Sequence, residues 1–205
     1  MKVIAFNGSP NNDKGVASGI SIMKRELEKE AVSVEVIHVG NKNIHGCMDC
    51  RKCAELKRCV IEGDPVNECL EKLKTADGLI LGSPVYYGGV AGTFKCFLDR
   101  LFLAGPDLRF KAGAIVVSVR RTGGLAAFQQ LNNYFNLSQV ILAPGVYWDV
   151  IHGRSPEEQA HDEEGMQIME LQARNMAWLL KTLALGKKEI TLPPARERIK
   201  TNFIR

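Results

Sequence analysis

Four cysteines are the most concentrated reactive side chains in this chain. Cys47, Cys50, Cys53 and Cys59 lie within thirteen residues, the first three at two-residue spacing. Thiolates at that spacing can bind one centre, and a nearby fourth can complete the sulfur ligation of zinc or of an iron–sulfur cluster. Structural zinc usually draws on two separated Cys-x-x-Cys pairs, so the continuous run favours a [4Fe–4S] cluster. Zinc and a set of free thiols are the alternatives.

Basic residues and further thiols accompany this run. Lys52, Lys57 and Arg58 lie among the four cysteines and would offset the negative charge of a cluster. Cys69 and Cys96 lie on predicted helices, and we interpret both as small buried hydrophobic residues.

Three polar, glycine-rich segments follow apolar runs and could bind a ligand. Residues 7–18 carry hydroxyl and amide groups ahead of a predicted helix, whose free N–H groups favour an anion such as phosphate. Residues 83–92 place Tyr86 and Tyr87 beside glycines, which suits a flat ring. Residues 120–124 supply cationic and backbone donors for a negatively charged edge of such a ring.

Each of these segments also has an ordinary interpretation. Serine and asparagine in the first can simply cap a helix, the tyrosines can pack against the core or a neighbouring subunit, and the arginines can be solvated. The first segment lacks the Gly-Lys-Ser/Thr ending of triphosphate loops and the Gly-x-Gly-x-x-Gly of dinucleotide sites. The first segment is therefore neither a triphosphate loop nor a dinucleotide-binding motif, and its residues alone do not identify the ligand.

Alternating strands and helices must position these segments. Apolar runs predict strands over residues 2–6, 33–39, 78–81, 114–119 and 139–142. Helical periodicity predicts helices over residues 16–30, 64–75, 92–102, 126–135 and 157–185, with Gly165 as a point where the last could break. This order predicts an α/β fold with a doubly wound, five-stranded parallel sheet. Such sheets bind ligands beyond the carboxyl ends of their strands, where all three polar segments lie.

The chain resembles the NADPH-dependent FMN reductase and iron–sulfur flavoprotein group in four segments, which appear in order across about residues 1–185. They are NGSPNN…KGVASG, LGSPVYYGGVAGTFKCFLDR, RRTGG…QQLNNYF and DEEGMQIMELQARNMAWLLK. The resemblance implies a flavodoxin-like, three-layer α/β/α fold with strand order 2-1-3-4-5. It also implies that FMN is the ligand of the three loops and strengthens the interpretation of the cysteine run as a [4Fe–4S] site.

The resemblance implies a place for each part of FMN. The phosphate is expected at Ser9, Asn11 and Ser18. The isoalloxazine ring is expected along Pro84, Val85, Tyr86, Tyr87 and Gly88, and its pyrimidine end near Arg121, Thr122 and Gly123. Two positions depart from the family pattern. Asn11 stands where arginine is frequent, and Ala17 lacks the hydroxyl that a threonine would offer the phosphate.

The implied activity is that of an FMN-dependent oxidoreductase. It would pass electrons from NAD(P)H or a reduced protein carrier to a small acceptor such as a flavin, a quinone or an oxygen species. The alternative is an iron–sulfur flavoprotein that exchanges electrons with ferredoxin-like partners and turns over no small molecule. A weaker third interpretation is a zinc-stabilised binding module without flavin. No side chain is singled out as catalytic, because flavin chemistry requires none.

Length and composition set the remaining expectations. A chain of 205 residues with 45% hydrophobic content fits a single domain over residues 1–185, with the cysteines on a loop at 40–63 and a tail or arm at 186–205. A net charge of +4 is too small to indicate nucleic acid or a membrane surface. The short apolar start indicates no signal peptide, so we expect a cytoplasmic protein. Relatives of this group imply a homodimer or homotetramer.

Overall fold

The computed structural model describes residues 1–196, 199, 201 and 203. The strands within them are β1 (Lys2–Asn7), β2 (Ser33–His38), β3 (Gly78–Tyr86), β4 (Gly89–Val90), β5 (Ala112–Val119), β6 (Ile141–Leu142) and β7 (Val150–His152). The helices are α1 (Gly15–Lys29), α2 (Cys53–Leu56), α3 (Val66–Thr75), α4 (Gly92–Ala104), α5 (Gly124–Leu137), α6 (Pro156–Gln159) and α7 (Glu163–Glu189).

The main sheet is parallel and has the order β2-β1-β3-β5-β6. The five strands predicted from apolar runs occupy these positions, which confirms the predicted flavodoxin-like order 2-1-3-4-5. Every residue of β5 is buried, because helices cover both faces of a parallel sheet of this kind. The carboxyl ends of β1, β3 and β5 therefore meet at one edge, where the three polar segments follow them.

Two apolar layers hold the helices onto the sheet. On one face, side chains of α3, α4 and α5 pack around Phe6, Leu81 and Val117. On the other face, α1 and α7 pack around Ala5, Ile80 and Val116. The result is the predicted three-layer arrangement. In the described part of the chain, no helix is long and apolar enough to cross a membrane.

The outer edge of the sheet is interrupted. β6 pairs with Ala112 and Gly113 of β5, whereas β7 pairs further along the same strand, at residues 117–119. Between them, residues 143–149 leave the sheet and include Pro144, which cannot donate a ladder hydrogen bond. The sequence predicted only one strand here, over residues 139–142, so β7 was missed.

The predicted helix over residues 157–185 is two helices, α6 and α7. The break falls between Gln159 and Glu163, and Gly165 lies inside α7. Asp162 explains the break, because its side chain accepts a hydrogen bond from the Gly165 N–H at 3.0 Å and caps the new helix. α7 then continues to Glu189.

Candidate functional site

The loop after β1 is held in place by its own side chains. The Ser9 N–H donates to the side-chain oxygen of Asn7 at 3.0 Å, and the Asn11 N–H donates to Ser9 Oγ at 3.2 Å. The Nε2 atom of His38 lies 2.7 Å from the Ser9 carbonyl oxygen. Ser9 is buried while Asn11 is exposed. Ser9 therefore shapes the loop, and its hydroxyl oxygen accepts a bond from within the loop.

The first turn of α1 has the character of an anion site. Its N-cap is Lys14, no side chain of the described residues caps it, and its first turn contains no acidic residue. No carboxylate within this turn offsets the helix dipole, and Asp13, just before the N-cap, is exposed to solvent. Ser18 and Ala17 lie on this turn and are half-buried. The structure places the three predicted phosphate residues, Ser9, Asn11 and Ser18, on this loop and first turn.

The segment after the third predicted strand is a β-hairpin, not an open loop. β3 continues through Pro84 and Val85 to Tyr86, and β4 pairs back against it. Tyr87 and Gly88 form the tight turn, with φ values of +51° and +74°. The strand prediction over residues 78–81 ended too early, because pairing with β4 and β5 keeps the chain extended.

The two tyrosines of this hairpin do not pack in the core. Tyr87 is fully exposed and Tyr86 is about half exposed, which removes the interpretation that they are core residues. Two side-chain hydrogen bonds hold the hairpin in place, one from within β3 and one from α5. Ser83 Oγ accepts from the Ala91 N–H at 3.1 Å, and the side-chain oxygen of Gln130, on α5, accepts from the Val90 N–H at 3.0 Å. Gln130 was missed by the sequence reasoning, because its partner is distant in the chain.

The loop after β5 lies against this hairpin. A Cβ atom on Gly123 would come within 3.2 Å of both Gly88 Cα and Val85 Cγ1, and Gly123 has φ +90°. Arg121 and Thr122 are exposed beside it, and Arg121 makes no hydrogen bond or ion pair with any described residue. The structure thus brings together the two segments that the sequence assigned to a ring and to its charged edge.

The four cysteines of the run line a single cavity against α4. Cys47 and Cys50 are exposed, Cys53 and Cys59 are half-buried, and apolar residues such as Leu103 complete the wall. The backbone is left-handed at three positions between the cysteines, which reverses the direction of the chain there: Asp49, Arg51 and Lys57. The Asp49 N–H lies 3.5 Å from Cys47 Sγ, a contact of the kind that supports a metal thiolate.

A buried arginine anchors this segment. Arg100, on α4, donates from Nε to Cys59 Sγ at 3.2 Å and from Nη2 to the Ile61 carbonyl at 3.0 Å. Its guanidinium is also paired with Asp64, whose carboxylate accepts from the Val66 N–H at the start of α3. Burial lowers the pKa of Arg100, but Asp64 and Cys59 outweigh it, so the pKa is raised overall.

The cysteine cavity offers thiol groups on several sides of one largely apolar space. Among the described residues, no three histidine, cysteine or acidic side chains are arranged to hold one metal ion. In a [4Fe–4S] cluster each cysteine binds a different iron, so the sulfurs surround the group and do not converge on a point. Four thiols around an apolar cavity, with N–H donors aimed at two of them, match that requirement.

The remaining cysteines differ from each other. Cys69 is fully buried in the core, and burial raises the pKa of its thiol to about 12, which agrees with its interpretation as a small hydrophobic residue. Cys96 lies on α4, facing Gly46 of the loop before the cysteine run, and it is only half-buried. Its interpretation as a buried residue was wrong.

The parallel sheet with its flanking helices defines a flavodoxin-like fold, in which ligands bind at the loops that follow the carboxyl ends of the strands. The sequence profile of the NADPH-dependent FMN reductase family matches residues 1–154, and the chain belongs to that family. It is therefore an FMN-binding oxidoreductase of the NAD(P)H-dependent FMN reductase type.

Similar proteins agree with this assignment. An iron–sulfur flavoprotein of Methanocaldococcus jannaschii is 32% identical over 192 residues, which cover 89% of this chain and 99% of that protein. The structure of RosB with a bound 8-demethyl-8-formylriboflavin-5'-phosphate intermediate has a TM-score of 0.70 at 15% identity and covers 100% of this chain and 94% of that one. A flavodoxin from the domain Archaea has a TM-score of 0.60 at 16% identity, with 88% and 99% covered. These two structures share the fold.

Proposed function

We propose that this protein takes electrons from NAD(P)H or a reduced protein carrier, holds them on FMN, and delivers them to a small acceptor with the help of a [4Fe–4S] cluster. Flavins, quinones and oxygen species are the proposed acceptors. The observation that carries the proposal is the meeting of the hairpin and the β5 loop at Gly88 and Gly123. Two rigid, glycine-lined segments at the strand ends form the kind of surface that a flat ring requires.

FMN, when bound, supplies hydride and single-electron chemistry, and the protein supplies binding and electronic tuning. Ser9, Asn11 and Ser18 would hold its phosphate, helped by the N-terminal end of α1. Pro84, Val85, Tyr86, Tyr87 and Gly88 would line the ring. Arg121, Thr122 and Gly123 would lie at the pyrimidine end, where Arg121, which has no ion pair among the described residues, would stabilise negative charge.

Cys47, Cys50, Cys53 and Cys59 would hold the cluster. The shared cavity and the apolar wall support this assignment, as does the name of the Methanocaldococcus relative. Lys57 and Arg58, expected to offset the charge of a cluster, are instead engaged by the Ala54 carbonyl and by Glu62. Among the residues that the structure describes, Arg100 is the cation that donates to a cysteine sulfur.

Anaerobic purification tests both cofactors in one sample. We expect a flavin absorbance band together with iron and acid-labile sulfide, and we expect Cys50→Ser to lose the iron while Cys69→Ser keeps it. Cys69 is the matched control because it is a thiol of the same chain that does not line the cavity. Bound zinc without sulfide would exclude the cluster, and a colourless protein that ignores added FMN would exclude the flavin.

An electron carrier that exchanges electrons with ferredoxin-like proteins is the second candidate. The exposure of Cys47 and Cys50 favours it, because a cluster near the surface is accessible to a one-electron protein partner. Steady-state oxidation of NADPH with a quinone or free flavin separates the two functions. Rapid reduction by ferredoxin with negligible NADPH turnover would support the carrier.

Three further proposals concern the setting of the protein. Three consecutive apolar side chains, Val146, Tyr147 and Trp148, are exposed, and exposed apolar surface of this kind often marks subunit contacts. We propose a homodimer or homotetramer, which light scattering tests directly.

We also propose that residues 1–185 form the FMN domain, with residues 186–205 as an arm. We further propose that the protein works in the cytoplasm, where its thiols stay reduced.

A further inference from the structure

Arg100 is a buried cation whose contacts all lie in or beside the cysteine segment. It is 1% exposed and sits on α4 between apolar residues of the core. Burying a guanidinium is unfavourable unless its donors are satisfied. Here they are: Nη1 donates to the His45 carbonyl at 3.2 Å, Nη2 donates to the Ile61 carbonyl at 3.0 Å, and both face the Asp64 carboxylate.

These contacts fix the direction of the remaining donor. The Asp64 side chain is only 4% exposed and accepts a bond from the Val66 N–H of α3, so the two-pronged ion pair is held in place. With the plane of the guanidinium held, Nε–H is directed at Cys59 Sγ, 3.2 Å away. The ion pair and the two carbonyls would already satisfy the arginine as a structural brace. The bond to sulfur is the additional feature, and it is aimed at a proposed cluster ligand.

The chemistry of that bond depends on the state of the sulfur. A thiol is a weak hydrogen-bond acceptor, whereas a metal-bound thiolate carries negative charge and accepts strongly. Hydrogen bonds and positive charge next to the sulfurs of a cluster stabilise its more negative, reduced state. A low-dielectric environment strengthens this effect.

The other basic residues of the segment are in a different position. Arg58 immediately precedes Cys59 but is half exposed and paired with Glu62 at 2.7 Å, and Arg51 is exposed and paired with Asp49. Solvent and their own acidic partners screen both charges. Within the described part of the chain, Arg100 is the arginine that donates to a cysteine sulfur.

We propose that Arg100 is a positioning residue that sets the redox potential of the cluster through the sulfur of Cys59. This inference rests on the proposed function, since it requires the cluster. Its N–H bond raises the reduction potential and makes the iron bound by Cys59 distinct from the other irons. Arg100 does not touch the flavin or a substrate in this role.

The first test needs no substitution at Arg100. Protein carrying 15N only in its arginines is purified anaerobically, and the reduced cluster is studied by pulsed electron paramagnetic resonance. We expect a 15N coupling to the cluster that persists in Arg51→Lys and Arg58→Lys. A fully loaded cluster without that coupling would overturn this inference and leave the proposed function intact. Absence of labile sulfide would overturn both.

The second test is a redox titration of matched variants. Arg100→Lys keeps the positive charge but loses the Nε–H. At a fixed potential, we expect the ratio of reduced to oxidised cluster to fall at least tenfold in this variant. A tenfold fall corresponds to a reduction potential that is lower by about 59 mV for one electron. In Arg58→Gln we expect no comparable change. Equal potentials in the wild type and Arg100→Lys would refute the inference. If Arg100→Lys fails to fold, the 15N coupling in the wild-type protein still shows whether Arg100 contacts the cluster.

Discussion

Gly123 lies against Gly88, so close that a Cβ atom on Gly123 would stand 3.2 Å from the Gly88 Cα. The contact joins the loop after β5 to the turn of the β3–β4 hairpin, two segments that are far apart in the chain. A side chain at Gly123 would push the hairpin turn away by a few tenths of an ångström, and the φ of +90° at Gly123 also disfavours one. The shape of the proposed ring site therefore depends on glycine at this position.

Gly123→Ala should weaken FMN binding. The added methyl group must displace the hairpin turn or strain its own backbone, at a cost of about 1–3 kcal/mol. We expect the FMN dissociation constant to rise roughly tenfold, because 1.4 kcal/mol corresponds to a factor of ten. Quenching of flavin fluorescence measures it.

Gly63→Ala is the matched control. Gly63 also has a positive φ, +82°, but a Cβ atom added there would meet no other atom within 4 Å. It should lose stability without losing FMN affinity. If Gly123→Ala binds FMN as tightly as the wild type, the hairpin contact does not shape the ring site.

Ala17→Thr should tighten FMN binding. Ala17 is half-buried in the first turn of α1, beside the proposed phosphate site. A hydroxyl there can donate to the phosphate, and a hydrogen bond to a charged group contributes about 1.5–3 kcal/mol. We expect at least a tenfold lower dissociation constant. Ala17→Val has nearly the same shape without the hydroxyl, so equal affinities for the two variants would count against phosphate binding at this turn.

Arg121→Gln should lower the reduction potential of bound FMN. Arg121 is exposed and makes no ion pair among the described residues, so its charge is available to the negative edge of a reduced flavin. We expect a drop of roughly 20–30 mV, since 30 mV is about 1.4 kcal/mol for a two-electron couple. Arg120→Gln removes the same charge one residue away. Equal shifts in both variants would indicate a general charge effect and no specific contact.

The fold could be predicted because its signal is local. An apolar run such as Ile115–Val116–Val117 predicts a strand buried on both faces, and its alternation with helices determines the class. The interrupted edge could not be predicted, because β7 has only three residues and is stabilised by pairing with Val119 and its neighbours. The extension of β3 to Tyr86 likewise depends on partners distant in sequence.

The site was predicted at the level of segments but not of supporting residues. The three polar loops lie at one edge of the sheet, as expected from the strand order. Gln130 and Arg100 were missed, because each bonds to a group about forty residues away. A signal for Arg100 was present: it is a charged residue in the apolar stretch FKCFLDRLFL of α4. A cation in such a stretch predicts a buried partner.

Asp149→Asn should remove a loss of stability that develops between about pH 4 and about pH 8. Asp149 is buried beside α7, where Gln172 Nε2 donates to it at 2.6 Å. Burial raises its pKa from 3.8 to about 8, while the Gly145 N–H acts in the opposite direction. Between these two pH values the folded state holds a proton that the unfolded state has released, so stability falls as the pH rises from about 4 to about 8.

Asparagine cannot ionise, yet its side-chain oxygen still accepts the bond from Gln172. We therefore compare the difference in melting temperature, Asp149→Asn minus wild type, at pH 5 and at pH 8. We expect this difference to be at least about 5 °C larger at pH 8, since 1 kcal/mol corresponds to roughly 2–4 °C for a chain of this size. Differential scanning calorimetry at both pH values measures this. Asp107→Asn, which removes an exposed carboxylate paired with Arg109, should show no such gain. A wild type and an Asp149→Asn variant with parallel melting profiles from pH 5 to 8 would show that Asp149 does not titrate in this range.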